Sequence, residues 1–388
     1  MEVFFSVGEP SGDEHAAHLI QHVRSQRSDV RCVGFGGPEM EEAGCRIDYP
    51  LTNLAVMGFL RVIPMLWTFI TVLRQASAYF RESKPDAVVL VDFPGFNWWV
   101  ARKAKAAGIP VIYYLPPQMW AWAPWRVKRL KRLTDHVLCG LPFEEAWYAE
   151  RGVEVEYVGH PFFDEVHEHA LDAKFVQGRR EDAARYVAVL PGSRNHEIEM
   201  NWPVQLEVIR TLSARHSDVR FLVANYKETQ RDKCRAWLGA GDAELPIEFV
   251  VGKTSEIIEA SSCCLMVSGS VSLELLARGT PSVVVYRGSR MLRLFGNIMV
   301  ICKYITLANL IAGREIMPEF PFAGPMEATV EQMTGILDEW LSDPEAYERV
   351  RAEMQDLRDA VAQTGATRRA AEAILSRLGE ATEERRAA

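Results

Sequence analysis

The chain has 388 residues, a length that accommodates two domains with separate cores. Its content of 48% hydrophobic and 25% charged residues indicates a globular protein and excludes an intrinsically disordered one. The net charge of −8 argues against a general nucleic-acid-binding protein, although local basic patches remain compatible with it.

In the first half of the chain, short apolar runs alternate with helical patterns. The first run, Met1–Val7, is interpreted as a strand and not as a signal peptide, because no basic region precedes it. Several runs are continuously apolar, which is typical of strands that a parallel sheet buries on both faces. The predicted strands are Glu2–Val7, Val30–Gly34, Ala87–Val91, Val111–Leu115, His136–Cys139 and Val155–Val158, and the predicted helices include Asn97–Ala107 and Phe143–Glu150.

The same alternation restarts after about residue 160 and predicts a second sheet. Its strands are Tyr186–Leu190, Val219–Ala224, Ile247–Val251, Cys264–Val267 and Ser282–Tyr286. Two such sets predict an α/β fold of two Rossmann-like, doubly wound parallel-sheet domains with a cleft between them. We expect domains at 1–163 and 164–345, a hinge within 158–169, and C-terminal helices at 346–388 that could pack back on the first domain.

Two features bear on the cellular environment. The seven cysteines are odd in number and form no CxxC pair, which predicts free thiols in a reducing compartment.

The segment Leu54–Leu73 is apolar and about 20 residues long, the length that spans a bilayer. Because Arg61 and Pro64 interrupt it, we expect a buried or membrane-surface helical segment and not a spanning helix.

Ligands of doubly wound sheets bind beyond the carboxyl ends of the strands, so the strand-to-helix loops are candidate sites. The first loop, GEPSGDEH at 8–15, lacks the GxGxxG dinucleotide fingerprint. By its residues alone it is either a capped turn or a functional loop. Asp13, His15, His18 and His22 lie close in sequence, but only approximately on one helical face, which disfavours a metal site. His18 and His22 are expected to be ordinary helix-surface residues.

Two further loops of the first half carry polar and aromatic residues. VDFPGFNWW at 91–99 places Asp92 at the end of a strand, either as a cleft acid or as a loop brace. PPQMWAWAPWRVKRLKRL at 116–133 joins three tryptophans with arginines and lysines, and the net charge of the chain disfavours nucleic acid as its ligand. Such a segment can stack on a sugar, bind phosphate, contact anionic lipid or form a solvated basic helix face.

The second half offers two candidate phosphate loops. In LPGSRNHEIEMN at 190–201, backbone amides at a helix start and Arg194 could bind an anion, or the segment is a plain turn. In SGSVSLELLARGTP at 268–281, small residues at a helix start suit a nucleotide diphosphate, and Glu274 could accept hydrogen bonds from a ribose. VGKTSE at 251–256 ends like a Walker A loop, but Ile247 stands where that motif needs glycine, so an ATPase is rejected.

Taken together in this order, seven segments resemble one family: GEPSGDEHAA, VDFPGFN, WAW, VGHP, LPGSRNHEI, SGSVSLELLARGTP and NLIAGREIMPE, within residues 1–325. They are similar to the lipid-A-disaccharide synthases, GT-B glycosyltransferases of family 19. The resemblance implies an inverting transfer from UDP-2,3-diacylglucosamine to 2,3-diacylglucosamine 1-phosphate, which yields lipid A disaccharide 1-phosphate and UDP. It also implies a cytoplasmic protein peripherally associated with the inner membrane, without metal, other cofactor or nucleic acid, and with a homodimer as an option.

The resemblance also assigns roles to residues. The base candidates are Asp92 first, then Glu9, Asp13 and His15; relatives often carry an acid where this chain has Gly95, in PDFN instead of PGFN. The acceptor or lipid candidates are Asn97, Trp120, Trp122, Arg126 and Arg129. The UDP-sugar candidates are Gly192, Ser193, Arg194, Glu197, Ser268, Gly269, Ser270, Ser272, Glu274, Arg287, Asn309, Arg314 and Glu315. The apolar segment Leu54–Leu73 would face acyl chains or the bilayer.

Two alternative functions stay open at this stage. One is another GT-B enzyme of UDP-sugars, either a lipid-linked glycosyltransferase or a UDP-N-acetylglucosamine 2-epimerase; the WAW and NLIAGRE segments favour the synthase over it. The other is a non-catalytic protein that binds a nucleotide sugar or a lipid, which the glycine at position 95 favours. A measurement of turnover, and not of binding, separates the enzyme from the binding protein.

Overall fold

The computed structural model describes residues 1–54, 66–288 and 302–387. They form two compact units. The first unit consists of Met1–Asp164 and Gln363–Ala388, and the second unit of Glu165–Ala362. The chain therefore leaves the first unit once and returns to it with its last helix.

The first unit is built on a seven-stranded parallel sheet of order β3-β2-β1-β4-β5-β6-β7. Its strands are β1 (Glu2–Val7), β2 (Arg31–Phe35), β3 (Arg46–Tyr49), β4 (Ala87–Val91), β5 (Val111–Tyr114), β6 (His136–Cys139) and β7 (Glu156–Tyr157). Its helices are α1 (Pro10–Gln26), α2 (Pro38–Glu42), α3 (Leu66–Glu82), α4 (Pro94–Ala106), α5 (Val127–Leu133), α6 (Glu144–Ala149), the start of α7 (Pro161–Glu168) and, after the second unit, α16 (Ala366–Ala387).

Helices cover both faces of this sheet, which explains the continuously apolar strands. In β1, Val3 and Phe5 belong to one buried cluster, and Phe4 between them belongs to the other. The last helix, α16, packs against α1. Its first turn is capped by the Asp164 carboxylate, which accepts hydrogen bonds from the backbone N–H groups of Gly365 (2.5 Å) and Thr367 (2.8 Å).

The second unit repeats the plan with a six-stranded parallel sheet of order β10-β9-β8-β11-β12-β13. Its strands are β8 (Arg185–Leu190), β9 (Val219–Asn225), β10 (Ile247–Val251), β11 (Cys263–Val267), β12 (Ser282–Arg287) and β13 (Glu319–Phe322). Its helices are α8 (Ala173–Arg180), α9 (Asn195–Arg215), α10 (Glu228–Arg235), α11 (Thr254–Ala260), α12 (Val271–Arg278), α13 (Leu307–Ala312), α14 (Glu327–Ser342) and α15 (Pro344–Val361).

All predicted strands are present with ends within one residue of the prediction. Two strands were not predicted, β3 and β13, and both lie at sheet edges. Their sequences, RIDY and EFPF, carry charges or a proline, which an edge strand tolerates because one side of it donates no ladder hydrogen bonds. Helix α4 begins three residues before its predicted start, at Pro94, because proline is well suited to the first helical turn.

The predicted apolar segment Leu54–Leu73 lies mostly outside the described residues. Its last part, from Leu66, forms the start of α3. Among the helices that the structure describes, none has the length and apolarity needed to cross a bilayer.

In each sheet the strand order reverses once, between β1 and β4 in the first unit and between β8 and β11 in the second. Ligands of doubly wound sheets bind outside the carboxyl ends of the strands at such a switch point. The loops GEPSGDEH and VDFPGFN follow β1 and β4, and LPGSRNHEI and SGSVSLELLARGTP follow β8 and β11. All four predicted loops therefore occupy the positions where this topology places ligands.

Candidate active site

A cavity of about 370 Å³ lies at the switch point of the first unit. Glu9 and His15 reach it from the start of α1, and Asp92 reaches it from the end of β4. Trp122 and Arg126 line its other side. The structure thus brings three of the four base candidates together with two of the acceptor candidates; we call this space the first cavity.

Asp92 lies in a strained turn directly before α4. Both Asp92 (φ 45°) and Phe93 (φ 44°) adopt the left-handed conformation that residues with a Cβ rarely take. Two buried donors hold the Asp92 carbonyl: Asn97 Nδ2 at 2.8 Å and the Tyr113 hydroxyl at 2.7 Å. Burial raises the pKa of the Asp92 carboxyl above its ordinary value, and the backbone N–H of Phe93 and the charge of His15 oppose this effect. The turn therefore holds a partly desolvated carboxyl group in the first cavity.

His160, from the VGHP segment, also lines the first cavity, and the sequence analysis did not include it among the site residues. Its ring lies edge-on to that of His15, with ring centroids 6.0 Å apart. Its Nδ1 accepts a hydrogen bond from the backbone N–H of Phe162 (3.2 Å), so the proton of the neutral ring is on Nε2. Burial, reinforced by His15, lowers the pKa of His160 to about 3. His160 is therefore a neutral N–H donor near pH 7.

This shift predicts an acid-sensitive stability. The unfolded chain binds a proton at His160 near pH 6.5, whereas the folded protein binds it only near pH 3. The free energy of unfolding should therefore fall as the pH drops below 6.5, by up to about 1.4 kcal/mol per pH unit from this group. Urea unfolding of His160→Gln at several pH values between 7 and 5 should give a shallower slope than the unmodified protein. His196→Gln, at an exposed position, is the control; equal slopes in all three proteins would contradict the assignment.

Aromatic and basic side chains form the outer wall of the first cavity. The Arg126 guanidinium stacks 3.9 Å above the Trp122 ring, and burial lowers the pKa of Arg126. Trp120 is buried behind this wall, where its Nε1–H donates to Glu144 (2.9 Å). Burial raises the pKa of Glu144, also a lining residue missed by the sequence analysis, to about 7. Arg129 is exposed and does not line the cavity.

Two of the candidates in the first unit are buried supports. Asp13 is 2% exposed, and its carboxylate accepts hydrogen bonds from the backbone N–H groups of Gly37 (2.8 Å) and Glu39 (3.0 Å) at the start of α2. Asn97 is fully buried; its Oδ1 accepts from the Ser6 hydroxyl (2.7 Å), and its Nδ2 donates to backbone carbonyls at the ends of β1 and β4. Neither lines the first cavity. Asn97 connects the ends of β1 and β4, which the loops with His15 and Asp92 follow, whereas Asp13 connects the start of α1 to the start of α2.

A second cavity, of about 260 Å³, lies at the switch point of the second unit. Its lining includes candidates from both predicted phosphate loops: Gly192, Ser193, Arg194, Glu197, Ser268, Gly269 and Ser270. The start of α12 opens onto it, and Gly269 has no heavy atom within 4 Å of an added Cβ, which leaves room for close approach of a ligand. We call this space the second cavity.

The loop after β8 differs from the predicted anion site in one respect. The Glu197 carboxylate accepts hydrogen bonds from the backbone N–H groups of Ser193 (3.0 Å) and Arg194 (3.1 Å) and forms an ion pair with the Arg194 side chain (2.9 Å). These two amides are therefore occupied by the protein itself. The hydrogen-bond donors that a ligand can use in the second cavity are therefore the backbone N–H groups at the start of α12 and the guanidinium of Arg194, which is half exposed.

Six of the UDP-sugar candidates do not line the second cavity: Ser272, Glu274, Arg287, Asn309, Arg314 and Glu315. The structure shows other contacts for three of these six residues. Glu274 is buried and paired with Arg278 (2.9 Å). Asn309 is fully buried and shapes its own loop by accepting from the backbone N–H groups of Ile316 (2.8 Å) and Met317 (2.9 Å). Arg314 is exposed and paired with Glu353.

Two polar residues that line the second cavity were not among the candidates of the sequence analysis. Tyr226 follows β9 and is 69% exposed, and Thr254 begins α11 after β10. Tyr226 comes directly after the carboxyl end of β9, and Thr254 comes three positions after that of β10. The rule that located the phosphate loops could therefore have located them as well.

Comparisons with known proteins give the family and the fold. The family model of Lipid-A-disaccharide synthetase matches residues 3–374. A lipid-A-disaccharide synthase of Myxococcus xanthus (strain DK1622) is 35% identical over 375 residues, which cover 96% of this chain and 96% of that protein. A putative UDP-N-acetylglucosamine 2-epimerase of Listeria monocytogenes has a TM-score of 0.67 at 13% identity, with 98% of this chain and 97% of that chain covered. The UDP-GlcNAc 2-epimerase of Neisseria meningitidis was solved with bound UDP-GlcNAc. Its superposition on this chain has a TM-score of 0.64 at 12% identity and covers 97% of this chain and 99% of the epimerase chain.

At these low identities the two epimerases establish the fold alone, which is the predicted GT-B fold of two Rossmann-like sheets. The family model and the Myxococcus relative, by contrast, extend over nearly the whole chain. They confirm the family predicted from the motifs: the chain belongs to the lipid-A-disaccharide synthetase family of GT-B glycosyltransferases.

Proposed function

We propose that the protein transfers the sugar of UDP-2,3-diacylglucosamine to 2,3-diacylglucosamine 1-phosphate, with release of UDP. The substrates follow from the family to which the chain belongs. The structural observation that supports catalysis is Asp92. Its carboxyl group lies in the first cavity, at a switch point, on a strained turn that two buried donors hold in place. Strain maintained by such support is typical of functional residues.

Asp92 is the proposed general base. In an inverting transfer the acceptor hydroxyl attacks the anomeric carbon, the bond to UDP breaks, and a base takes the hydroxyl proton. A carboxylate whose pKa is raised by burial holds that proton better than an ordinary aspartate does. Gly95, where relatives often carry an acid, is exposed and offers no carboxylate here, so this role falls to Asp92.

The acceptor is proposed to bind in the first cavity. Arg126 can bind the 1-phosphate of the acceptor through its guanidinium, and the stacked Trp122 ring can pack against the sugar. The Nε2–H of His160 can donate to a sugar or phosphate oxygen. It is not a base near pH 7, because Nδ1 is occupied by the Phe162 N–H and Nε2 carries the proton. His15 and Glu9 also belong to the polar lining.

The donor is proposed to bind in the second cavity. The start of α12, with Ser268, Gly269 and Ser270, presents N–H groups and the positive end of a helix dipole to a diphosphate. Arg194 adds a guanidinium, and Tyr226 offers an exposed ring on which a uracil base could stack. These groups would stabilise the charge that develops on UDP as it leaves.

We further propose that the first unit attaches peripherally to the cytoplasmic face of the inner membrane. Its exposed large apolar residues include Leu66, Trp67, Trp99 and Trp125, carried by α3, α4 and the turn before α5. Helix α3 packs against α4, and α4 packs against α5. Exposed basic residues of α5 lie beside them: Lys128, Arg129, Lys131 and Arg132. Exposed tryptophans beside basic residues suit an anionic lipid surface.

Release of UDP by the purified protein tests the proposed reaction. With UDP-2,3-diacylglucosamine alone we expect little UDP, because the acceptor whose hydroxyl attacks the anomeric carbon is absent. Addition of 2,3-diacylglucosamine 1-phosphate should give UDP and a disaccharide in equal amounts. UDP release that does not depend on the acceptor would contradict the proposed transfer, and donor binding without any turnover would indicate a binding protein.

A further inference from the structure

A third cavity, of about 340 Å³, lies in the second unit at the amino ends of the strands. Residues just before or at the start of β8, β11 and β12 line it, among them Arg185, Ser262 and Thr280. The second cavity lies at the carboxyl ends of the same sheet. The third cavity is therefore separate from the proposed donor site.

The wall of the third cavity is strongly cationic. One lining residue is acidic, Glu259, and five are arginines: Arg179, Arg180, Arg185, Arg278 and Arg351. Three of these arginines pair with acids that do not line the cavity and are at least half exposed: Glu248, Asp218 and Glu348. Because such exposed pairs contribute little free energy, a phosphate group can replace these carboxylates as the partner of the arginines at low cost.

Buried donors in this wall lack acceptors. The Arg278 side chain is 7% exposed and pairs through Nε with Glu274 (2.9 Å) and through Nη1 with Glu259 (3.2 Å). Within the described part of the chain, its Nη2 has no acceptor, and the same holds for Arg179 Nε and Ser261 Oγ. All three residues line the third cavity. These three atoms lie just behind the cavity surface, and a buried donor without an acceptor destabilises a fold. A turn of these side chains toward an acceptor-rich ligand in the cavity would therefore be favourable.

We propose that the third cavity binds a small phosphorylated ligand. The planar guanidinium fork matches the oxygen atoms of a phosphate group, and several arginines together suit an anion with more than one charge. At about 30 Å³ per water, a volume of 340 Å³ corresponds to roughly ten waters, which exceeds what one phosphate ion requires. The ligand class is therefore a phosphate attached to a further group, either a free metabolite or a lipid headgroup.

The competing explanation is that the arginines only neutralise acids and helix ends. Arg180, for example, donates to the backbone carbonyl of Glu259 (3.1 Å) near the end of α11. That arrangement stabilises a helix carboxyl end without any ligand. It predicts no saturable anion binding, which separates the two explanations experimentally.

Titration calorimetry of the full-length protein with pyrophosphate tests the proposal, with excess UDP present so that the second cavity does not compete. We expect one saturable site per chain. Arg180→Gln and Arg351→Gln, at positions 58% and 47% exposed, should fold normally and each weaken binding about tenfold. Arg215→Gln is the control, because Arg215 is 49% exposed, is paired with Asp338 and does not line the third cavity. Its affinity should stay within about twofold.

Two results would overturn the proposal: no saturable binding, or binding that Arg180→Gln and Arg351→Gln leave unchanged. Pyrophosphate titration and binding to vesicles that contain phosphatidic acid, each repeated with both variants, distinguish the two sources of phosphate. Loss of pyrophosphate binding alone assigns a free metabolite, and loss of vesicle binding as well assigns a lipid headgroup. None of these outcomes depends on the proposed sugar transfer, whose test is UDP release.

Discussion

Replacement of Asp92 by asparagine is expected to lower the turnover number of the sugar transfer by about 10²–10⁴-fold, the usual contribution of a general base. Asparagine keeps the size and the backbone hydrogen bonds of the turn but cannot take a proton. The free energy of unfolding should therefore change little, and UDP should bind with unchanged affinity. Because burial raises the pKa of Asp92, the acid limb of the pH–rate profile should lie above the ordinary aspartate range and should disappear in the variant.

Asp86→Asn is a matched control for this variant. Asp86 stands at the other end of the same strand, just before β4, where its carboxylate accepts a hydrogen bond from the Glu2 N–H (2.8 Å). Its replacement should leave the turnover number within about twofold, because it lies at the amino end of the sheet, away from the first cavity. If Asp92→Asn retained more than about a tenth of the turnover, Asp92 would not be the base, and Glu9 would become the leading acid.

Asp13→Asn separates a supporting acid from a reacting one. The Asp13 carboxylate holds the N–H groups of Gly37 and Glu39, and asparagine keeps only one acceptor oxygen for these two donors. The free energy of unfolding should fall by about 1–2 kcal/mol, as for loss of a helix cap. Thermal or urea unfolding measures this effect. A loss of turnover as deep as that of Asp92→Asn, with unchanged stability, would instead identify Asp13 as the base.

The contrast between Asp13 and His15 shows what the sequence could and could not predict. The two residues are two positions apart on α1 and therefore point to different sides of the helix, one into the protein and one into the first cavity. The motif contains both, and no local pattern distinguishes them. Likewise, Arg194 and Glu197 both line the second cavity, and only the structure shows that Glu197 holds the loop that carries Arg194.

The strands were more predictable than the site because their signal is local. A run such as AVVLV in β4 is apolar at every position, and burial on both faces of a parallel sheet is its direct cause. The edge strands β3 and β13 were not predicted, because a strand at a sheet edge does not need a continuously apolar sequence. His160 was not predicted for another reason: its role depends on the neighbours that the fold brings to it, which include His15.

Membrane attachment should depend on the exposed tryptophans of the first unit. Trp67 and Trp125 are 75% and 68% exposed, and an aromatic side chain gains about 1.5–3 kcal/mol when it is fully buried in an apolar environment. Partial burial at a lipid interface should give about half of that for each ring. The double replacement of Trp67 and Trp125 by serine should therefore lower the partition coefficient onto anionic vesicles by roughly 10–100-fold, measured by co-sedimentation.

Trp237→Ser is the control for this prediction, because Trp237 is 50% exposed but lies in the second unit.

Replacement of Lys128 and Arg132 by glutamine tests the electrostatic part of membrane attachment, which contributes about 1 kcal/mol for each charge near an anionic surface. Added salt should abolish the effect of the charge variant and preserve that of the tryptophan variant, since screening acts on the Coulomb attraction and leaves apolar burial in place. If the double tryptophan variant and Trp237→Ser partitioned alike, the first unit would not carry the attachment surface, and the proposed peripheral location would fail while the chemistry at Asp92 stood.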